Sequence, residues 1–506
     1  MDIEKNPPPA AVDLPERTAD SDVNQGPAEK TVDPDANLSP EEKKSVYQKL
    51  VWKLDLHLLP WLCILYLLAF LDRANIGNAK IAGLTHDLGM SVSQFNATLT
   101  IFYISYSVFE PLTNVLLKRL RPSVFIPLLM IIWGSVMTSM GFVKNWSGLM
   151  AARWFLGLAE AGLFPGISFY LSCWYKRSEL GMRTSIFFSS AAISGSFGGL
   201  LAAAIENMAG IGDLPGWAWI FILEGLLTVV FGFASFWTVY DFPDGPRTRF
   251  LNSEEKKRAI NRLKADNQAS AEYEAFQMKY VWQAMRDWKM WIGMIIYSGC
   301  TMPLYAFSMF LPTIIMDLGW NTSVVRSQLY SVPPYIVAAV FTIVVGYLAD
   351  RMNKRGIFNV LTSLIGVVGF IMQLATTSPA ARYTATFLGA LGIYPCIPNT
   401  ISWVSNNTEG VYKRGVVLGF VIGWGNLNGI VSSNIYFSSP DYVEGHGVVL
   451  AYMALFLCGA SSLMMLLLHL ENKRRLAGER DVWVEGKSEK EIREMGDRRP
   501  DFIYVI

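Results

Sequence analysis

Apolar runs of about 20 residues recur along this chain, each long enough to cross a hydrocarbon core of about 30 Å as a helix. We read twelve, at approximately 58–77, 95–117, 123–143, 147–173, 184–206, 217–240, 290–316, 323–349, 357–377, 381–404, 415–437 and 448–470. A bilayer core holds no water to take up free backbone N–H and C=O groups, so a spanning run must satisfy them within itself and be helical. Hydrophobic residues make up 52% of the 506, and Asp, Glu, Lys and Arg only 17%, against roughly 25% charged in a soluble domain. The expectation is an all-α membrane protein with twelve transmembrane helices in two six-helix bundles.

Charge is sorted by loop rather than gathered in one patch, so the net charge of +1 points to no nucleic-acid partner. One set of loops holds Lys118, Arg119 and Arg121, Lys176, Arg177 and Arg183, Arg351, Lys354 and Arg355, and Lys413 and Arg414; the other holds Lys80, Lys144, Arg326 and Arg382. The positive-inside rule then puts both termini in the cytoplasm. All five cysteines (Cys63, Cys173, Cys300, Cys396 and Cys458) fall in membrane segments without metal-ligand spacing, so neither disulfide nor metal is expected. Four histidines, no nucleophile elbow and no phosphate loop argue against an enzyme or a cofactor.

Residues 1–38 are rich in Pro, Asp, Glu and Ala without apolar periodicity, and read as a disordered cytosolic tail without a signal peptide. Ser39-Pro40-Glu41-Glu42 is a helix start, so 39–57 should be a lead-in helix along the inner membrane face. The first bundle then covers 58–240, a cytosolic central loop 241–289, the second bundle 290–470 and a charged cytosolic tail 471–506. Within the central loop, Ser253-Glu254-Glu255 can cap a helix running to about Asp266, and Tyr280 to Trp288 interleaves aromatics with charge as an interfacial helix does.

After segment 8 comes Gly346-Tyr347-Leu348-Ala349-Asp350-Arg351, followed by Lys354-Arg355-Gly356; after segment 2 comes Lys118-Arg119-Leu120-Arg121-Pro122. A carboxylate at the inner end of one helix beside a cationic loop can latch two helices when the cytoplasmic side is closed. Gly346, Asp350, Arg351 and Arg355 are the latch residues on this reading, with Lys118 and Arg119 at the equivalent place. The spacing resembles the signature between helices 2 and 3, and 8 and 9, of the major facilitator superfamily; the segment 2–3 loop lacks the Gly-x-x-x-Asp half of it.

Asp72, Arg73, Arg153 and Glu160 are ionisable residues inside spanning segments, where each Asp, Lys or Arg costs roughly 2.5–3.5 kcal/mol and marks an ion or substrate path. At 1.5 Å per residue, Asp72 and Arg73 lie roughly 21–23 Å above the inner face, Arg153 roughly 6 Å and Glu160 roughly 16 Å below the outer one. These depths allow all four to share one cavity. Arg153 and Glu160, two turns apart, point the same way, with Gly157 leaving room between them. With both carboxylates ionised the cluster is neutral; protonating both frees two arginine forks, which suit a carboxylate ligand. That bookkeeping leads to proton-coupled uptake of an organic anion.

In the second half, Tyr305 just past Pro303, Asn399 in segment 10, and Asn426 and Asn428 in segment 11 are candidates for the ligand's other wall. Asn406 and Asn407 sit at the inner end of segment 10. Glu110 and Glu224 read as interhelical structural pairing. Asn145-Trp146-Ser147 and Asn321-Thr322-Ser323 fit the glycosylation acceptor pattern.

The runs Phe70-Leu71-Asp72-Arg73-Ala74-Asn75-Ile76-Gly77-Asn78-Ala79 and Arg153-Trp154-Phe155-Leu156-Gly157-Leu158-Ala159-Glu160-Ala161-Gly162, with Trp403-Val404-Ser405-Asn406-Asn407 and Asp501-Phe502-Ile503-Tyr504-Val505-Ile506, resemble the fungal anion:cation symporters of the allantoate permease group. The resemblance implies proton symport of a small carboxylate or vitamin (allantoate, nicotinate, pantothenate, biotin or tartrate) across the plasma membrane. It implies proton-carrying roles for Asp72 and Glu160 and anion binding by Arg73 and Arg153; Asn75, inside the first run, joins the substrate candidates. A monomer is the default for such a fold. The alternatives are a proton-antiport exporter of drugs or secondary metabolites, against which Gly195-Ser196-Phe197-Gly198-Gly199 carries no Pro in segment 5, and a nutrient sensor, for which the tails are short.

Overall fold

The helix starts follow the local chemistry of the chain. Ser39 and Glu42 exchange hydrogen bonds in a capping box (Glu42 N to Ser39 Oγ 3.3 Å, Ser39 N to Glu42 Oε2 2.9 Å) and open α1, Pro40–Ile81. Ser91 and Gln94 do the same for the third helix. The computed structural model describes residues 39–205, 208–243, 245, 248–265, 278–318, 320, 324–436, 441–488, 491–492 and 495–506. The tail expected to be disordered, 1–38, lies outside them.

After α1 come α2 (Leu84–Asp87), α3 (Val92–Arg119), α4 (Pro122–Met140), α5 (Trp146–Glu160), α6 (Leu163–Ser172), α7 (Arg177–Ile205) and α8 (Gly216–Thr238). Two short helices, α9 (Ser253–Ala265) and α10 (Met278–Met285), lead to α11 (Trp288–Met316), α12 (Val324–Met352), α13 (Gly356–Ala375), α14 (Pro379–Ile393), α15 (Cys396–Asn406), α16 (Val411–Ser432) and α17 (Val443–Ala451). A π-helical stretch, Tyr452–Gly459, joins α17 to α18 (Ala460–Leu476). The described residues contain no strand.

Ten of the described helices, counting α5–α6 and α17–α18 as single spans, are long and apolar enough to cross a membrane. The runs read at 95–117 and 381–404 are helical too, as α3 and α14–α15, but less apolar. Their polar side chains are turned inward, with Thr98, Ser105, Glu110, Asn399, Thr400 and Ser402 all buried. Outward-facing Val108, Phe155, Phe233 and Leu455 are more than half exposed, as lipid-facing positions should be.

Three features differ from the sequence reading. The lead-in and first span are one uninterrupted helix of 42 residues through Pro60, steadied by Lys53–Glu255 (2.8 Å) and Arg183–Asp55 (2.7 Å) ion pairs. The cap of α9 is Asn252, not Ser253: Glu255 N donates to Asn252 Oδ1 at 2.7 Å and Asn252 N to Glu255 Oε2 at 2.9 Å. The fourth span of each half is interrupted, at Ala161–Gly162 between α5 and α6 and at Tyr394–Pro395 between α14 and α15. Breaks at matching places in two repeats are where transporter folds put their sites.

Within the first half α4 packs on α8, α3 on α5 and α1 on α7; in the second α11 packs on α16 and α13 on α14. The halves meet along α7–α12 and α3–α16, with α1 touching α11. Glycines permit the α7–α12 seam: a Cβ on Gly195 would stand 2.8 Å from the Tyr335 ring, and one on Gly199 2.8 Å from Gln328 O.

Residues 495–506, part of the stretch 471–506 read only as a charged tail, fold back onto the end of the molecule that carries the loop cations, here called the basic end. Asp497 is buried between Lys413 (2.6 Å) and Lys289, and Asp287 pairs with Lys413 at 2.7 Å. Arg475 Nη1 donates to the carbonyls of Asp497, Arg499 and Phe502. Asn472 and Asn407 bond both backbone groups of Tyr504 and Val505 respectively. Trp403 Nε1 donates to Val505 O at 2.8 Å.

Candidate functional site

Arg73 lies on α1 where both halves meet. Its Nε and Nη2 donate to Glu160 Oε1 at 3.1 and 2.5 Å, and its Nη1 donates to Tyr305 Oη at 3.1 Å. Tyr305 Oη donates to Asn426 Oδ1 at 2.5 Å, and Asn426 Nδ2 to Glu110 Oε2 at 2.9 Å. One polar chain thus runs Glu160–Arg73–Tyr305–Asn426–Glu110, through α5, α1, α11, α16 and α3. Around it aromatics replace water: the Arg73 guanidinium carbon is 4.8 Å from the Tyr106 ring centre, 5.4 Å from Phe102 and 5.7 Å from Tyr305, distances at which a ring face attracts a cation.

Beside Arg73 is a cavity of about 10 Å³, bounded by Tyr66, Phe70, Tyr106, Phe164, Phe188, Tyr297, Thr301, Leu304, Tyr305, Ile397 and Asn426. Every one of these residues is buried, so the space is occluded. That is room for about one water molecule, far below the roughly 300–1,000 Å³ of sites for drug-sized ligands, so a substrate enters only when the helices move apart.

Glu160 reaches Arg73 because α5 lies hard against α3. A Cβ on Gly157 would overlap Phe102 O and Ser105 Oγ, so the room that this glycine leaves is filled by the α3 backbone. Gly157→Val should push the helices apart and cost about 1–3 kcal/mol by overpacking. The expected result is a lower melting midpoint in detergent together with reduced transport.

The four membrane charges are not gathered in one cavity. Side chains on a helix advance about 100° per residue, so Asp72 and Arg73, although level, point to different neighbours. Asp72 turns into the first half, where its Oδ2 accepts from Trp133 Nε1 at 3.0 Å and Thr228 Oγ1 at 2.9 Å. Arg153 is buried behind Phe102, its guanidinium carbon 5.9 Å from that ring. Its Nε and Nη2 have no hydrogen-bond partner among the described residues.

The same angular argument corrects two of the asparagines, and depth corrects a third. Asn75, about 200° round from Arg73, faces α7: its Oδ1 accepts from Asn78 Nδ2 at 2.9 Å and lies 3.1 Å from the Cβ position of Gly198. Asn428, equally far round from Asn426, bonds Ser298 Oγ at 3.0 Å and ties α16 to α11. Asn399 lies toward the basic end, donating to Arg355 O and Asn359 Oδ1, each at 2.8 Å. None of the three bounds the cavity; Tyr305 and Asn426 do. Glu110, read as structural pairing, belongs to the central chain. Its signal was present in its type and place, since an acid inside a span is a site by default.

At the basic end Asp350 and Arg355 form an ion pair, and Asp350 Oδ2 accepts from Met182 N of α7 at 2.6 Å, which joins the two halves. Gly346 lies against Ser185 with no space for a Cβ. Arg351 is exposed. The Lys118 and Arg119 side chains lie outside the described residues, as does Asn321. Asn145 is the exposed N-cap of α5, accepting from Gly148 N at 2.8 Å.

Residues 62–433 match the Major Facilitator Superfamily. An uncharacterized transporter of Schizosaccharomyces pombe is 36% identical over 473 residues, 92% of this chain and 94% of its own. The high-affinity nicotinic acid transporter of Saccharomyces cerevisiae is 30% identical over 455 residues, 90% of this chain and 84% of its own. Among solved structures, a bacterial homolog of the human lysosomal transporter Spinster, inward-facing and occupied, superposes with a TM-score of 0.57 at 16% identity, covering 81% of this chain and 95% of that one. With its apolar helices and transporter relatives, the chain is a multi-pass membrane transporter rather than an enzyme, and it belongs to the major facilitator superfamily.

Proposed function

We propose that the protein is a proton-coupled symporter taking up a compact organic anion, of the kind handled by the allantoate permease group. The observation that carries this is the Arg73–Glu160 pair: an internal carboxylate occupies the guanidinium fork that a substrate carboxylate would need. A proton on Glu160 removes the competing charge and frees the Arg73 Nε and Nη2 donors, with the Tyr305 hydroxyl beside them. One proton and one anion entering together leave the net charge of the site unchanged, so each favours the other's binding. Arg153 adds a second positive charge near the Phe102 ring.

The walls of the cavity, once it widens to admit a ligand, suit a flat acid. They are rings of Tyr66, Phe70, Tyr106, Phe164, Phe188, Tyr297 and Tyr305, which stack on a planar heteroaromatic better than they solvate a polyol. The nicotinic acid transporter among the relatives supports a nicotinate-like carboxylate. In this reading the basic end is cytoplasmic, both termini lie on that side of the plasma membrane, and Asp350, Arg355 and Gly346 hold that end shut. A cavity built wholly within one chain supports action as a monomer.

Uptake of labelled nicotinate and a panel of carboxylates by cells expressing the chain, in acidic and neutral medium with and without a protonophore, tests this. Acid-stimulated accumulation that collapses with the protonophore is the expected result. If no compound enters and preloaded acids leave faster, the protein is an exporter and Glu160 an antiport carboxylate.

A further inference from the structure

Glu224 is the one ionisable residue of α8 (Gly216–Thr238), and it is fully buried. Neither Glu224 Oε1 nor Oε2 has a hydrogen-bond partner among the described residues, and Asp72 Oδ1 has none either. Thr228, one turn from Glu224 on the same face of α8, is the residue that donates to Asp72 Oδ2. Side chains so spaced stand about 5–6 Å apart at Cβ, and the Glu224 carboxyl lies within electrostatic reach of Asp72.

The surroundings bring no cation up to Glu224, and only Arg153 within electrostatic reach of Asp72. The helix packed most closely against α8 is α4 (Pro122–Met140), which contains no Asp, Glu, Lys, Arg or His. These two helices touch backbone to backbone, a Cβ on Gly225 standing 2.7 Å from Gly134 O. From α1, Arg73 is committed to Glu160 on another face. The charged residues of α7, Arg177, Glu179 and Arg183, are all in its first two turns at the basic end; of the described side chains, Glu179 pairs with Arg262 and Arg183 with Asp55. On α5, Arg153 is level with Asp72 but not bonded to it. An ionised, unpartnered carboxylate in such a place costs several kcal/mol, and a bound proton removes that cost.

We propose that Glu224 and Asp72 form a proton-binding dyad in the wall of the first half, loaded in the occluded state, and that Glu224 is a further proton-carrying residue of the transport cycle. The proton moves within the dyad by breaking the O–H bond at one carboxyl as the other forms, and it leaves when either residue meets water. Trp133 and Thr228 hold Asp72 by one oxygen and leave the other turned to this exchange. This rests on the proton-coupled reading above, with which it shares Asp72 but not Arg73 or Glu160.

The test has two arms. Infrared difference spectra of the purified full chain in liposomes, taken between acidic and alkaline buffer in water and heavy water, report protonated carboxyls without any substrate. The wild type should show a deuterium-sensitive carboxyl C=O band that is diminished in both Glu224→Gln and Asp72→Asn, and displaced rather than lost in Glu224→Asp. In the second arm, using whichever acid of the panel is taken up, Glu224→Gln should lower gradient-driven accumulation about tenfold relative to exchange, the equivalent of one pKa unit of lost coupling. A wild-type spectrum that neither substitution alters overturns the dyad. A dyad band in a wild type without acid-stimulated uptake overturns the symport reading and leaves the dyad as a proton site.

Discussion

Replacing Arg73 by lysine should abolish uptake of the transported anion while the protein still reaches the membrane. Arg73 makes three directed hydrogen bonds from one planar group, two to Glu160 and one to Tyr305. A lysine keeps the charge but cannot span both partners, because its ammonium is a point on a flexible stem. Truncating one member of a buried, hydrogen-bonded charge pair costs about 2–5 kcal/mol, so transport should fall about 30-fold or more, at tenfold per 1.4 kcal/mol. Arg73→Ala should lose as much transport and also stability, because Glu160 is then left unpaired. Adding Glu160→Gln to Arg73→Ala should recover stability without recovering uptake. Uptake per molecule at the cell surface, with thermal unfolding in detergent, separates the two effects; normal uptake by Arg73→Lys would remove the anion role from this residue.

Asp497→Ala should be the most destabilising single change at the basic end. Asp497 is 1% exposed and bridges Lys289 and Lys413, which are themselves buried. Its loss leaves two ammoniums against the single carboxylate of Asp287, and removing one partner of a buried ion pair costs about 3–5 kcal/mol. Deleting residues 495–506 should cost at least as much, since Arg475, Asn472 and Asn407 then lose their partners too. Burial opposes the Asp497 charge, but the two lysines outweigh it and hold its carboxyl well below the usual range. A carboxyl depressed in the folded state contributes fully above its unfolded value of about 4. The contribution fades only as pH falls from there through the folded value. Wild type and Asp497→Ala should therefore unfold at different temperatures at neutral pH and converge only in strong acid. Equal midpoints at neutral pH would show that the tail is held by its hydrogen bonds to Arg475, Asn472, Asn407 and Trp403 and by its apolar packing rather than by the Asp497 ion pairs.

The parts of this molecule legible in the sequence were those set by length and by type. Runs of spanning length placed the helices, and the charges within two runs marked α1 and α5 as the helices that share the buried Arg73–Glu160 pair. Depth was readable as well, since the rise per residue is constant. What depth alone does not carry is direction round the helix, and the corrections follow from it. Asp72 and Asn75 were grouped with Arg73, and Asn428 with Asn426, although one residue turns a side chain by about 100° and two by about 200°. Glu110 and Glu224 failed for another reason. Their surroundings come from helices distant in the chain, Asn426 of α16 for the first and Asp72 of α1 for the second, and no local pattern announces a long-range neighbour. The inward fold of residues 495–506 was hidden similarly, because a charged segment looks solvated until its counter-charges are known.

That inward fold gives the second half a particular order of completion during synthesis. Lys289 and Asp497 are separated by 208 positions, so the ribosome releases the lysine near the start of the second half and its carboxylate only after the last long helix. Until then Lys289 and Lys413 have only Asp287 as a counter-charge. A chain interrupted after α18 would thus have its long helices and still lack the carboxylate that Lys289 and Lys413 share.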